Sequence, residues 1–466
     1  MTKLVSIPLW LLILVLLFAA VTFASHFLFP SVRWFFRRRA ERLVAQMNKR
    51  LTRPIEPFKL AKRFDMVQRL VYDPAVSAAI HDHAQRHGIP ENVAFEQARA
   101  YAREIVPGFS ATAYYSVGMR FARWMSRSLY RVKVDELDKN RLDEISGDAA
   151  VIFVINHRSN MDYVLITWLV SNATALSYAV GEWARVWPLA PIIRSMGAYF
   201  IRRKDRSQLY RRVLARYVQL AMEGGATQAI FPEGGLSLDG APCPPKLGLL
   251  NYIVTGYVPG GGDVVFIPVG MNYDQVLEDR YLINADQAGN RRFRPQYGPA
   301  TMSFLAHIRD RVLRRFKRFG TFSASFAAPL SLDEFIKNRG GGVDDKLTED
   351  LALELMARMG AVIPIMPVPL VAKILLKGQG LDEATITAEA AALLALFEGG
   401  TVPIPDSNAA EICADALDQL SRRKLIKKQG QLWLVVAEEV PVLRFYANSI
   451  AHHFVDLLPI ADQSDE

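Results

Sequence analysis

Residues 149–162 read AAVIFVINHRSNMD, and residues 163–170 continue as YVLITWLV. A short, partly β-branched apolar run that stops at a polar cluster, followed by an apolar stretch with helical spacing, predicts a buried strand feeding a helix across a loop. His157 opens that loop and Asp162 closes it. On one continuous helix the five-residue step between them turns about 140° beyond a full turn, so the side chains diverge. With His157 on the loop and Asp162 in the first helical turn they can meet. A carboxylate there accepts the imidazole Nδ1 proton, fixes the tautomer and leaves Nε2 as an unprotonated base near neutral pH. A capping aspartate beside an unrelated loop histidine would give the same letters, because Asp is a favoured helix starter, and for an isolated pair that reading weighs more. Ser159 sits only two residues from His157 with no G-x-S-x-G elbow around it, which speaks against a hydrolase triad.

Outward from this stretch the same texture recurs in AYFIRR (198–203), TQAIFPEGG (227–235) and DVVFIPVGMNYD (263–274). Helically spaced segments, 163–171 and 208–222, lie between them, so strand and helix alternate as in an α/β layer whose chemistry sits where strands end. Residues 60–130 have a helical pattern, as do 347–359 and 383–397. Residues 415–436 run as helix, RRKLIKKQG turn and QLWLVV strand, an order also found in winged-helix DNA modules. The expected division is a membrane-anchor helix over 1–30, a basic juxtamembrane and helical lead-in over 31–110, an α/β domain over 111–340, and a mostly helical C-terminal region over 341–466.

Composition narrows the class. The 466 residues carry 56 Lys plus Arg against 47 Asp plus Glu, a formal charge of +9, with 51% hydrophobic and 22% charged residues. That excludes a disordered chain. A mean hydropathy of +0.10 is too low for a many-pass transporter. Cys243 and Cys413 alone cannot build a disulfide framework or a cysteine zinc site. The basic excess suits an anionic membrane surface, nucleic acid or phosphorylated substrates. Leu9 to Phe29 contains no formal charge and as a helix reaches about 31 Å, a candidate membrane span. Arg33, Arg37, Arg38, Arg39, Arg42, Lys49, Arg50 and Arg53 follow it, which places the body on the cytoplasmic side. A cleaved signal peptide ending near Ala20 to Ser25 is the competing reading. The apolar run Ala361 to Leu376 is interrupted by Pro364, Pro367 and Pro369 and is expected to be buried or surface-docked, not spanning. In HDHAQRH, His83 and His87 have a metal-capable i,i+4 spacing but no further ligand pattern, so a solvated helix is the expectation.

Three further strand ends carry candidate binding groups. Arg202 and Arg203, with Lys204 and Arg206 behind them, suit bidentate recognition of a phosphate, or form a plain basic turn. Glu233 lies in a glycine turn and can accept a substrate hydroxyl or hold a cation, while Lys246 offers another phosphate contact. VVFIPVGMNY carries Pro268 late in a buried strand.

Taken in order, HRSNMD with Tyr163, GAYFIRR, FPEGG and VVFIPV resemble the four acyltransferase motifs of the glycerol-3-phosphate and lysophosphatidate acyltransferase superfamily. The H-R-S-x-x-D-Y form, the F-I-R-R ending and the run Tyr273, Asp274, Gln275, Val276, Leu277, Glu278 look most like the membrane-bound glycerol-3-phosphate 1-acyltransferases of bacteria and their mitochondrial relatives. WPLAPIIRSMGAYFIRR, SFAAPLSLDEF and LRFYANSIAHHF extend the likeness over roughly residues 110–460. The resemblance implies an acyltransferase fold, a mixed sheet flanked by helices. It implies His157 as general base and Asp162 as its orienting partner. Arg202 or Arg203 would belong to the glycerol-phosphate site, with Glu233, Gly234 and Lys246 near the substrate and Pro268 in the fourth motif. Many relatives continue the third motif with arginines, whereas Leu236 and Leu238 stand here, so phosphate charge would fall to Arg158, Arg202, Arg203 and Lys246; Ser159 is a further substrate-binding candidate. Members of this branch can exceed 466 residues, and a shortened N-terminal part with a single anchor is expected.

The implied reaction moves a fatty acyl group from acyl-CoA or acyl-carrier protein to the sn-1 hydroxyl of glycerol 3-phosphate, without cofactor or metal. It implies a phospholipid membrane as partner, no nucleic acid, and a catalytic domain on the cytoplasmic face of a bacterial inner membrane. Lysophosphatidate and dihydroxyacetone-phosphate acyltransferases are the neighbouring alternatives. A nonenzymatic membrane-tethered protein that binds anionic lipid or nucleic acid is the alternative of another class.

Overall fold

The structure, a computed structural model, describes residues 8–23, 29–134, 144–181, 189–202, 207–289, 318–342, 344–378 and 380–457. Among them, eight strands form one mixed sheet: β1 (Arg131–Val134), β2 (Ala150–Ile155), β3 (Ser177–Gly181), β4 (Tyr199–Ile201), β5 (Gln228–Ile230), β6 (Val264–Tyr273), β7 (Thr321–Phe326) and β8 (Leu330–Ser331). Their order is β1-β7-β6-β2-β5-β3-β4, with β8 beside β6. Strands β2 to β6 are mutually parallel, and β7 and β8 pair antiparallel to β6. The carboxyl ends of the five parallel strands therefore share one edge of the sheet, where a ligand site is expected in such architectures.

The run AVIFVI is continuously apolar because both faces of β2 are covered. Val151, Phe153 and Ile155 enter one core, and Ala150, Ile152 and Val154 the other. The second core is closed by α3 (Arg63–Val71), α4 (Pro74–His87), α5 (Glu91–Ile105), α8 (Gln208–Glu223) and α9 (Leu347–Ala361). The first takes α7 (Met161–Val170) and most of the C-terminal part, including α10 (Pro367–Leu375), α11 (Ala409–Arg422) and α12 (Val440–Asn448). The C-terminal helices are thus one layer of the catalytic sheet's own core. A buried lysine ties the lead-in to this body: Lys59 Nζ donates to Ala175 O and Thr227 O and pairs with Glu56 at 3.1 Å.

Two prolines that interrupt Ala361 to Leu376 fall at the start of α10, where helix donors have no internal partner. The helix is buried, and the N–H of Val368 donates to Asp274 at 3.0 Å. Pro268 is tolerated within a central strand for a related reason. Its carbonyl accepts from Ala327 N–H at 2.9 Å, so its missing donor faces the gap between β7 and β8 and not β2.

Several expectations differ from the structure. The stretch 114–129 is a single helical pattern in sequence, but residues Ala113–Gly118 form a π turn before α6 (Met119–Leu129). RRKLIKKQG is not a turn alone, since Ile426–Gln429 forms a strand hairpinned to Leu432–Val435 across Gly430, which has φ +62°. The apolar N-terminal helix α1 covers Leu9–Phe23, 15 exposed residues or about 22 Å, and α2 covers Phe29–Asn48. Among the described residues no helix is long and apolar enough to cross a membrane. Residues 24–28 of the expected span lie outside the described residues.

Candidate active site

The loop between β2 and α7 carries four successive backbone donors, and each meets a carboxylate. His157 N–H donates to Glu233 Oε1 at 3.1 Å, Arg158 and Ser159 N–H to Asp162 Oδ2 at 2.7 and 2.9 Å, and Asn160 N–H to Glu278 Oε1 at 3.1 Å. Buried amides need partners, so these bonds fix the loop's path. Asp162 combines the two roles that the sequence left as alternatives. Its Oδ2 accepts the loop amides and lies 2.9 Å from His157 Nδ1, while Oδ1 accepts from the hydroxyl of Tyr273. With Nδ1 as the donor, the neutral imidazole keeps its lone pair on Nε2, which no group among the described residues bonds. Phe231 and Tyr163 hold the ring, with centroids 4.4 and 5.2 Å away. His157 is 2% exposed and Asp162 0%.

Neighbouring strands supply the rest. Tyr273 ends β6, which lies beside β2, so strand order alone brings its hydroxyl over α7's first turn. Burial and the Asp162 charge hold its phenol well above the usual range, so it remains a donor. Tyr273→Phe leaves a buried carboxylate oxygen without its partner, at about 1–3 kcal/mol. We expect kcat to fall at least about tenfold with a modest loss of Tm, measured by steady-state acyl transfer and thermal unfolding. An unchanged kcat in the folded variant would remove Tyr273 from the relay.

Glu233 follows β5. Its carboxylate accepts His157 N–H and, at 3.2 Å, Cys243 N–H, so it braces two loops and does not point at an open acceptor site. Burial pushes its pKa up to about 7, against the opposing pull of those amides and Arg158. Asp274, which holds Val368 and Thr321 amides, is likewise raised by burial to about 6. A carboxyl with a raised folded-state pKa binds more protons folded than unfolded. Its contribution is most favourable below the unfolded pKa and weakens as pH climbs to the folded one. For Glu233 that window runs from 4.5 to about 7. Urea unfolding across it should therefore show wild type losing stability relative to Glu233→Gln as pH rises. A difference that stays flat with pH would contradict the buried charge.

Gly234 has φ +67°, and a β-carbon there would lie 2.7 Å from Lys246 Cγ, so the glycine lets the exposed lysine's stem cross the turn. Ser159 is committed to Glu278: its Oγ donates to Oε2 at 2.7 Å. Glu278, raised by burial, also accepts Asn160 Nδ2 at 3.0 Å. Leu236 and Leu238 pack against the core. Arg158 is 3% exposed and its Nη1 donates to Gly240 O at 2.5 Å.

One expected phosphate contact is not brought to His157. Arg202 faces Glu104, with donor distances of 2.7 to 3.1 Å, and lies over the rings of Tyr101 and Tyr210. It follows β4, three strands from β2 and so roughly 14 Å away across the sheet. This corrects the expectation for Arg202, whose partner Glu104 comes from a helix that the strand-end reading did not include. Arg203 lies outside the described residues. Tyr273 and Glu278 entered the sequence reading only as part of the family-like run YDQVLE; nothing in their spacing from His157 marks them as its neighbours. His452 and His453 are structural, bonding Gly360 O and Ile363 O. Among the described residues no cluster of metal-ligating side chains occurs.

Two family models match the chain. The family described as Acyltransferase matches residues 131–272, and the glycerol-3-phosphate acyltransferase C-terminal region matches residues 310–457. The glycerol-3-phosphate acyltransferase of Aeromonas hydrophila subsp. hydrophila is 28% identical over 421 residues, covering 85% of this chain and 50% of that protein. Those of Pseudomonas aeruginosa and Pseudomonas entomophila are 26% and 25% identical, over 85% and 90% of this chain and 49% and 52% of theirs. The chain spans about half the length of the curated relatives it matches. Among solved structures, the 1-acyl-sn-glycerophosphate (LPA) acyltransferase of Thermotoga maritima aligns with a TM-score of 0.32 at 18% identity, over 60% of this chain and 92% of that one. Because one match spans the strands that build the His157 loop and the next spans the C-terminal helices that close its core, the chain belongs to the glycerol-3-phosphate acyltransferase family.

Proposed function

We propose that this chain transfers a fatty acyl group from a thioester, acyl-CoA or acyl-carrier protein, to the sn-1 hydroxyl of glycerol 3-phosphate, giving lysophosphatidate. The observation that carries this reading is the buried Tyr273–Asp162–His157 relay, which leaves imidazole Nε2 without a partner among the described residues. Nε2 takes the proton of the acceptor hydroxyl as its oxygen attacks the thioester carbonyl. The tetrahedral oxyanion collapses by expelling the thiolate, which takes the proton back from the imidazolium and leaves as free thiol. The backbone N–H groups of residues 157–160 already bond carboxylates, so the oxyanion's donors must come from elsewhere. Acyl transfer by this route needs no covalent enzyme intermediate.

Attachment to the cytoplasmic face of a membrane fits the lipid product. The exposed apolar helix α1 and the arginines of α2 support it. So does the outer face of α6 and the π turn before it, where exposed Val117, Phe121 and Trp124 run beside exposed Arg120, Arg123 and Arg127. The test is thioester-dependent transfer by the purified full chain in lipid, offering glycerol 3-phosphate, dihydroxyacetone phosphate and lysophosphatidate in parallel with both donors. Lysophosphatidate made from glycerol 3-phosphate is the expected result. Phosphatidate made only from lysophosphatidate would move the reading to the next acylation, and no transfer to any acceptor would overturn it.

A further inference from the structure

The winged-helix order noted in residues 415–436 is completed in the structure by its neighbours. Helix α10, the strand Leu381–Asp382, the helix Glu383–Ala395, α11 and the hairpin Ile426–Gln429/Leu432–Val435 follow one another, and the first strand pairs with the last, as in such modules. In a DNA reader the helix at α11's place lies against phosphates, but here it exposes Glu411 and Asp418, the wrong sign for that partner. The basic residue just past its end is spent inside the protein.

Arg423 reaches Asp279, the first residue of the helix Asp279–Gln287, which follows β6 on the edge of the sheet that carries His157. Asp279 is buried, and its Oδ2 takes two donors, Arg423 Nη2 and, at 2.5 Å, the hydroxyl of Tyr446 on α12. The same hydroxyl oxygen accepts Arg423 Nη1 at 3.0 Å and Val276 N–H at 3.1 Å. Two C-terminal residues thus close the turn 276–279 on one buried oxygen. Glu278 lies within that turn. Its carboxylate accepts Ser159 Oγ at 2.7 Å, Asn160 N–H at 3.1 Å and Asn160 Nδ2 at 3.0 Å, and so holds the far end of the His157 loop.

We propose that Arg423 and Tyr446 are positioning residues for acyl transfer: by fixing Asp279 they set Glu278, and through Glu278 the loop that carries His157; this rests on the acyl-transfer reading above. Without Arg423, Asp279 is a buried charge short of its counter-ion, and the first turn of its helix moves toward water to solvate it. Glu278, one residue away, moves with it and releases Ser159 and Asn160.

The test reads Arg423→Gln, Arg423→Lys and Tyr446→Phe in the purified full chain in lipid, by two measurements. Hydrogen exchange followed by mass spectrometry should show the peptide spanning residues 157–162 exchanging at least about tenfold faster in Arg423→Gln, while peptides from α4 and α5 keep wild-type rates. Its kcat should fall at least about tenfold, with KM for acceptor and thioester within about twofold of wild type, because the loop's part is to aim the base. Arg423→Lys, which keeps one charged donor, and Tyr446→Phe, which keeps the ion pair, should lie between Arg423→Gln and wild type. Adding Arg423→Gln to Glu278→Ala should lower kcat no further than Glu278→Ala alone, since both act through one carboxylate. Losses that multiply in the double variant, exchange that quickens everywhere, or wild-type kcat in folded Arg423→Gln would overturn the assignment. Should Arg423→Gln fail to fold, Tyr446→Phe decides by the same exchange and kcat measurements. If wild type acylates no acceptor but the local exchange effect holds, the brace stands and the acyl-transfer reading falls.

Discussion

His157→Ala abolishes acyl transfer, with turnover at least about 10³-fold below wild type, and Asp162→Asn lowers it about as far, by analogy with the general scale for a base and its orienting carboxylate. The two variants fail differently. Removing the imidazole leaves Asp162 still bonded to the amides of Arg158 and Ser159 and to Tyr273, so the fold and Tm should change little. In Asp162→Asn one oxygen becomes an NH₂ group facing groups that are all donors, so the loop loses an acceptor and His157 is free to adopt the wrong tautomer. That variant should therefore lose stability as well, by about 1–3 kcal/mol. Transfer assays with urea unfolding of both proteins check this. A folded His157→Ala that retains more than a few per cent of wild-type turnover would refute the role of Nε2.

Gly240→Ala should cost at least about 3 kcal/mol of stability and most of the activity. Gly240 has φ +89°, and a β-carbon there would lie 1.9 Å from Phe445 O, a backbone atom of α12 that cannot step aside alone. The same loop holds the catalytic turn from below. Gly240 O accepts from Arg158, Ser237 N–H donates to His157 O at 3.0 Å, and Asp239 O accepts from Asn448 at 2.9 Å. The C-terminal helix thus positions His157 through one intervening loop, and displacing it should show in both denaturant midpoint and kcat. A variant within about 1 kcal/mol of wild type and fully active would mean that α12 does not press on this loop.

Much of this was legible in the letters. The apolar run AVIFVI ending in a polar cluster located β2 and the catalytic loop, and the five-residue step from His157 to Asp162 gave a contact that only a loop-to-helix transition allows. Strands such as Arg131–Val134 and Thr321–Phe326 were not evident. Both alternate polar and apolar residues, but over only 4 and 6 positions, the short end of the period-two signal. Of the N-terminal span expected over 9–29, the structure describes Leu9–Phe23 as helix, and 24–28 lie outside the described residues. The basic ending IRR pointed to phosphate for Arg202, but a guanidinium's partner is chosen by whichever carboxylate the fold brings closest, here Glu104 from α5.

By itself the sequence determined local things: which runs bury both faces, where strands end, and that a histidine and an aspartate can meet across one turn. Those follow from periodicity and from spacing within a few residues, where the chain's own geometry fixes who can meet. The tertiary structure decided everything that depends on strand order. Placing β6 beside β2 put Tyr273 on Asp162 across 111 residues, placing Glu278 beyond β6 held Ser159 and Asn160, and seating α12 over the Gly240 loop buried Arg158 with one edge unpaired. Such partners are set by long-range packing of apolar faces, which brings polar groups together only after the core has chosen its layers.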